Sequence, residues 1–229
     1  MKYEFLLFDA DDTLFNFQSS AEKCFNATCK EFGFSPEQSD YSLYKVINQT
    51  LWDEYSLGKM PKSRVITERF DIYAEKFGKT LDSKSFADSY ENKLAHTCIL
   101  FPETEDTLKK LKSLGAKSYI ITNGITFVQN TRLDLSPLRP YLSGVFISDE
   151  IGYAKPSKEY FEFVSRSIGG FDKNKALIVG DSLISDIRLG TENGVKTCRM
   201  NYFNEPAPET VSYDYEIKRL NEIFKILEA

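Results

Sequence analysis

Histidine is almost missing from this chain: His96 is the only one in 229 residues, and tryptophan also occurs once, at Trp52. The four cysteines, Cys24, Cys29, Cys98 and Cys198, are scattered. Together these absences exclude the ligand spacing of a zinc site. They also exclude a disulfide framework, so free thiols in a reducing compartment are expected. No stretch approaches the roughly 18 apolar residues of a membrane span. The apolar run Phe5–Phe8 is too short for the core of a secretion signal, and Asp9 follows it at once. A cytoplasmic location is the resulting expectation. There is no long basic tract, and the formal charge is −5, from 29 basic and 34 acidic residues. A nucleic-acid polymer is therefore a poor partner. Internal repeats and low-complexity segments are absent too. What is present is a chain 41% hydrophobic and 14% aromatic, with 18 Phe and 13 Tyr. That is ample for a core and argues against disorder. The length suits one domain, or one domain carrying a substantial insertion.

The most informative stretch is Glu4–Leu14. Phe5–Phe8 reads as a short strand buried on both faces. It runs straight into Asp9, Asp11 and Asp12, acids that are costly to bury unpaired. A strand end that delivers carboxylates to a crevice, where a cation neutralises them, resolves the conflict, and open α/β sheets place their chemistry there. If the extended trace continues, Asp9 and Asp11 point the same way, with the Thr13 hydroxyl on the same side. Taken alone, the segment is equally compatible with a turn and a helix cap after a core strand.

Apolar spacing predicts helices over 19–32, around Leu43–Leu51, over 65–77 and over 83–94, with Ser35-Pro36-Glu37 as a turn or a new helix start. No alternating strand pattern occurs between Asn16 and Ala95. From Phe101 the pattern changes to alternating helices and strands. Helices are predicted over 104–114, 125–133, 157–168, 185–193 and 220–227, strands over 117–121, 145–147, 176–179, 195–198 and 213–217, and a loop over 148–156. The fold expected is α/β: a Rossmann-like, mostly parallel sheet with helices on both faces, plus an inserted all-helical cap. The sheet domain takes residues 1–16 and 98–229, and the cap takes 17–97.

In a parallel sheet the strand ends line one edge. They carry Asp9, Asp11 and Thr13, then Thr122 and Asn123, then Lys155 in the loop after the third strand, then Asp181 with Asp186 one helical turn on. Each has an ordinary reading: Lys155 as a solvated turn residue, Asp181 as a turn aspartate, Asp186 as support for a helix N-terminus, Thr122 as a cap. Their recurrence at successive strand ends favours a common site. Carboxylates at this density call for a divalent ion. With no Cys/His alternative that ion is a hard one, magnesium first, and the lysine and hydroxyls suit phosphoryl oxygens.

These segments closely resemble the motifs of the haloacid dehalogenase superfamily, over the whole length of the chain. Asp9-Ala10-Asp11-Asp12-Thr13 matches the first motif, Ile120–Gly124 the second, Lys155-Pro156 with Phe161 the third, and Gly180–Ile187 the fourth. The insert resembles that family's helical cap, and the resemblance implies a hairpin flap at Thr13–Gln18 with a single helical turn before it. Asp12 stands where many members have glycine, a position where aspartate tolerates a left-handed backbone. The resemblance implies a magnesium-dependent phosphomonoester hydrolase with Asp9 as nucleophile and Asp11 as general acid and base. Thr122, Asn123 and Lys155 would hold the phosphoryl group, and Thr13 would support the loop. The ion would be held by Asp9, Asp11 (through its backbone carbonyl), Asp181 and Asp186. Competing readings are a 2-haloacid dehalogenase, a phosphomutase, a phospho-accepting signalling module and a non-catalytic binding protein. A dehalogenase would have no use for Asp11 or for the Asp181/Asp186 pair, and a receiver module would be about half the length with no helical insert.

The opening Phe8–Phe17 and the block Asp149–Pro156 look like a bacterial subgroup of pyrimidine 5′-nucleotidases. A nucleoside monophosphate is the substrate class implied, with phosphoglycolate and small sugar phosphates as competitors. Phe15, Phe17, Trp52, Tyr55 and Tyr90 are candidates to stack on a base, and Lys59 or Arg64 to take a substrate carboxylate. A monomer or weak homodimer is expected.

Overall fold

The computed structural model describes residues 1–35 and 40–228. The chain divides into two compact units, one of residues 1–17 with 99–229 and one of residues 18–98.

The first unit is an α/β sandwich. Strand β1 (Phe5–Phe8) is followed, after the helices of the other unit, by α5 (Thr104–Ser113), β2 (Lys117–Thr122), α6 (Thr126–Leu135), β3 (Gly144–Ile147), α7 (Ser148–Ile151) and α8 (Lys158–Ser167). Then come β4 (Ala176–Gly180), α9 (Arg188–Asn193), β5 (Lys196–Met200), β6 (Tyr215–Ile217) and α10 (Ile223–Glu228). The six strands form one sheet in the order β3-β2-β1-β4-β5-β6, and every pairing is parallel. Phe5–Phe8, Ile120–Ile121 and Ala176–Val179 are all buried, as strands covered on both faces must be. β1 lies between β2 and β4, so successive crossovers leave it in opposite directions and a crevice opens at its carboxyl end.

The second unit contains α1 (Phe17–Glu31), which begins at the junction, α2 (Tyr41–Ser56), α3 (Lys62–Glu75) and α4 (Ser83–Ala95). Asp40 and Asp82 cap α2 and α4 by accepting the backbone N–H of Leu43 and of Ser85, each at 3.1 Å. The core is aromatic. Phe25 stacks on Tyr44 at 4.3 Å between ring centroids, and Tyr44, Phe70 and Tyr90 form a buried cluster. A buried ion pair, Arg69–Glu91, runs through it, with Arg69 also donating to Asn48 Oδ1 at 2.7 Å.

Several sequence expectations need correction. Residues 148–156 are not all loop: Ser148–Ile151 forms a helical turn closed by Gly152 at φ 83°. A segment this short carries no usable periodicity. The helix expected over 185–193 is split into a wide, π-helical turn at Leu183–Ile187 and α9. Ser182 starts that turn by accepting the backbone N–H of Ser185. The last helix is likewise a tight turn, Leu220–Glu222, followed by the short α10.

No hairpin flap forms at Thr13–Gln18. The backbone N–H groups of Leu14 and Phe15 both donate to the Ala10 carbonyl (3.0 and 2.9 Å), Phe15 pairs with Leu100, and α1 begins at Phe17. The single turn implied before the flap is therefore present, with Asp12 left-handed at φ 54°. Tyr90 and Phe15 are fully buried and are packing residues, whereas Phe17, Trp52 and Tyr55 are partly exposed. The turn or helix start expected at Ser35-Pro36-Glu37 lies, from Pro36 on, outside the described residues.

Candidate active site

The crevice at the end of β1 is built from four strand ends. The Asp9 backbone N–H donates to the Val179 carbonyl at 2.8 Å, which continues the β1–β4 pairing by one residue and fixes Asp9 at the switch point. Its carboxylate accepts a hydrogen bond from Lys155 Nζ at 2.6 Å. The Lys155 side chain is 1% exposed and spends its donors on three oxygens: Asp9 Oδ1, Asp186 Oδ1 (2.6 Å) and the Ile121 carbonyl (2.8 Å). Asn123 fixes the Lys155 backbone from both sides. Its amide nitrogen donates to the Lys155 carbonyl and its amide oxygen accepts the Lys155 N–H, each at 2.9 Å. The Thr122 hydroxyl, also buried, accepts the Gly124 N–H at 3.0 Å and shapes the turn leaving β2.

Asp186 is fully buried beneath this cluster, its second oxygen accepting the Ser182 N–H at 3.1 Å. The π-helical turn places it there, and Gly180 makes room, because a Cβ at Gly180 would collide with the Asp186 carboxyl group. Asp9, Asp181 and Asp186 each offer an oxygen within 4.8 Å of the others. Three carboxylates and one ammonium leave an excess of negative charge at the crevice, and the protonation equilibria register it. Burial pushes the Asp9 carboxyl up to about 8, against the pull of Lys155 and with help from Asp186 and Asp11. Burial, then the charges of Asp9 and Asp12, hold Asp181 well above the usual carboxylate range. Burial works to lower Lys155, but Asp186 and Asp9 outweigh it and keep the lysine strongly protonated. A hard divalent cation with oxygen ligands fits this donor set and would relieve the excess.

Asp11 departs from the sequence expectation. It does not share partners with Asp9, because the chain turns at Ala10 and the extended trace ends there. Its two oxygens accept from Gln129 Nε2 (2.6 Å) and Arg132 Nη1 (2.5 Å) on α6, and its carboxylate is not one of the three that gather as a metal cluster. Thr13 is fully buried and its hydroxyl has no hydrogen-bond partner among the described residues. Gln129 and Arg132 were missed by motif reasoning. A signal did exist: both occupy inward-facing positions of α6, beside Val128 and Leu133, where apolar residues would be expected.

A strand-end nucleophile position, an ammonium and a carboxylate trio on a parallel sheet define a class of α/β hydrolase. Comparison with known proteins agrees: the family model described as haloacid dehalogenase-like hydrolase matches residues 6–200, and the chain belongs to this family. The crystal structure of the Bacillus subtilis HAD-hydrolase YfnB bound to magnesium superposes with a TM-score of 0.92 at 32% identity, covering 100% of both chains. The Escherichia coli pyrimidine 5′-nucleotidase YjjG is 30% identical over 229 residues, covering 99% of this chain and 99% of its own. The Streptococcus pneumoniae pyrimidine 5′-nucleotidase PynA is 32% identical over 228 residues, covering 100% of this chain and 96% of its own. No helix among the described residues is long and apolar enough to cross a membrane.

Proposed function

We propose that the chain is a magnesium-dependent phosphomonoester hydrolase working through an aspartyl-phosphate, with pyrimidine nucleoside monophosphates, non-canonical ones included, as its substrates. The observation that carries the chemistry is the convergence of Asp9, Lys155, Asp181 and Asp186 at one strand-end crevice. The substrate assignment rests on the near full-length likeness to two pyrimidine 5′-nucleotidases.

Asp9, Asp181 and Asp186 are the side chains that would hold magnesium, joined by the Asp11 backbone carbonyl. Bound there, the ion supplies charge neutralisation for the phosphoryl oxygens. The rest falls to the chain itself. Lys155, charged and held between Asp9 and Asp186, lowers the repulsion between the Asp9 carboxylate and a phosphate dianion. Asp9 Oδ attacks phosphorus, the ester P–O bond breaks, and the departing oxygen takes a proton from Asp11. A water then gives its proton to Asp11 and attacks phosphorus, and the P–O bond to Asp9 breaks. Inorganic phosphate leaves and both carboxyl groups return to their starting states. Thr122 and Asn123 bound the phosphoryl pocket at the end of β2, and the Asn123 side chain contributes by holding Lys155 in place. Thr13, fully buried, supports the loop by packing.

The test is phosphate release, with and without magnesium, from UMP, dUMP, dTMP, modified pyrimidine monophosphates, purine monophosphates, phosphoglycolate, hexose phosphates and a 2-haloacid, beside Asp9→Asn. Magnesium-dependent turnover of pyrimidine nucleotides, lost in the variant, is the expected result. Turnover of phosphoglycolate alone would keep the chemistry and remove the nucleotide assignment. Activity unchanged in Asp9→Asn would overturn the mechanism.

A further inference from the structure

Two aspartates two residues apart are held here by two different cations. Lys155 and its pairing with Asp9 belong to the site already described. The other pair does not. Arg132 is fully buried, yet Asp11 is its one ion-pair partner among the described residues. Its Nε and Nη2 have no hydrogen-bond acceptor there, and its guanidinium lies 4.3 Å from the centre of the Phe15 ring. A buried guanidinium left with two unsatisfied nitrogens is an expensive way to fill a helix face, so packing alone does not account for it.

The geometry of the contact does account for it. Gln129 and Arg132 are three residues apart on α6, so they share a face, and each takes a different oxygen of Asp11. One donor would leave the carboxylate free to rotate, whereas two donors on separate oxygens fix its plane. Gln129 reaches Asp11 only because residue 124 is glycine, since a Cβ there would collide with the Gln129 amide. The Phe15 ring packs against the guanidinium, and the turn closed on the Ala10 carbonyl fixes Phe15. Gly124, Gln129, Arg132 and Phe15 thus form one device with Asp11 at its focus.

We propose that Gln129 and Arg132 are positioning residues that hold the Asp11 carboxyl in the orientation from which it exchanges a proton with the ester oxygen and with water. This rests on the reading of Asp11 as general acid and base. Neither residue touches the reacting phosphorus. They act through Asp11, and a misplaced proton donor costs rate most where the leaving oxygen is strongly basic.

That dependence supplies a test a purely structural role would not pass. First-turnover rates of leaving-group release are measured for the magnesium-loaded enzyme on two alkyl phosphates, UMP and phosphoglycolate, and on p-nitrophenyl phosphate, whose leaving group departs without a proton. The variants are Arg132→Met, Arg132→Lys, Gln129→Met and, for reference, Asp11→Asn. Gln129→Met keeps the buried ion pair, so it reports even if Arg132→Met fails to fold. Expected for Arg132→Met is a loss of about 10²-fold on the alkyl ester the wild type turns over, at little change in KM, and about 5-fold or less on the aryl ester. Gln129→Met should show the same selectivity at smaller size, and Arg132→Lys should recover part of the loss. If Asp11→Asn shows the selectivity but Gln129→Met and every folded Arg132 variant slow both esters equally or neither, the positioning role is wrong and the acid–base reading stands. If Asp11→Asn shows no selectivity, the acid–base reading fails and the inference goes with it.

Discussion

Replacing Lys155 by methionine tests the electrostatic account of the crevice most directly. The side chain is 1% exposed and makes two ion pairs of 2.6 Å, to Asp9 and Asp186, the latter fully buried. Methionine preserves the apolar stem and removes the charge. Breaking a buried pair by removing one partner costs about 3–5 kcal/mol, because the surviving charge is left uncompensated. At neutral pH and without divalent ions, Lys155→Met should lose stability of that order in urea unfolding.

Two further signs follow. Burial pushes the Asp9 carboxyl up to about 8 in the folded protein from an ordinary value of 3.8, so the folded state holds the extra proton between those values. The stability this contributes is fully present below about 3.8 and is lost as pH rises through about 8. Removing Lys155 removes an influence that lowers the Asp9 value, so the variant's deficit should shrink towards pH 5 and widen towards pH 8. Magnesium at 100 times its Kd adds about 2.7 kcal/mol to the wild type. The variant site carries one positive charge fewer, so at equal magnesium its stabilisation should be larger. The reasoning is refuted if Lys155→Met matches the wild type without magnesium, or if the ion stabilises the variant less than the wild type.

Other outcomes are expected from the same contacts. Magnesium binding between pH 6 and 8 should release protons, since Asp9 and Asp181 both hold theirs above the usual range in the metal-free protein; calorimetry in buffers of different ionisation enthalpy measures this, and buffer-independent heats would contradict it. Gly124→Ala and Gly180→Ala should each cost about 1–3 kcal/mol, because the new methyl group meets Gln129 or Asp186, and activity should fall with the displaced side chain. In the helical unit, Arg69→Met or Glu91→Gln alone should destabilise by about 3–5 kcal/mol. The double replacement by apolar residues should recover most of that loss, as a thermal double-mutant cycle would show.

The sequence by itself determined whatever is local. An apolar run ending in acids reads as a buried strand delivering carboxylates, and Phe5–Asp9 does so. Thr122 ends β2 and Asp181 directly follows β4, so their placement follows from the strand and the parallel sheet rule. The left-handed backbone of Asp12 follows from a side chain that tolerates it. The helical character of the insert is periodic over more than one turn in every element and is equally local.

Only the tertiary structure decided which groups meet. The order that sets β1 between β2 and β4 is a matter of pairing between distant segments, which no local pattern encodes. Asp11 meets Gln129 and Arg132 across 118 and 121 residues of chain, so the divergence of Asp9 and Asp11 was invisible to a rule based on strand alternation. That the Asn123 side chain clamps the Lys155 backbone was hidden for the same reason. Tyr90 and Phe15 have the composition of a stacking surface, but neighbouring rings and a buried guanidinium claim them as core. Residue type set what each side chain could do, and the packing of segments far apart in sequence set what it had to do.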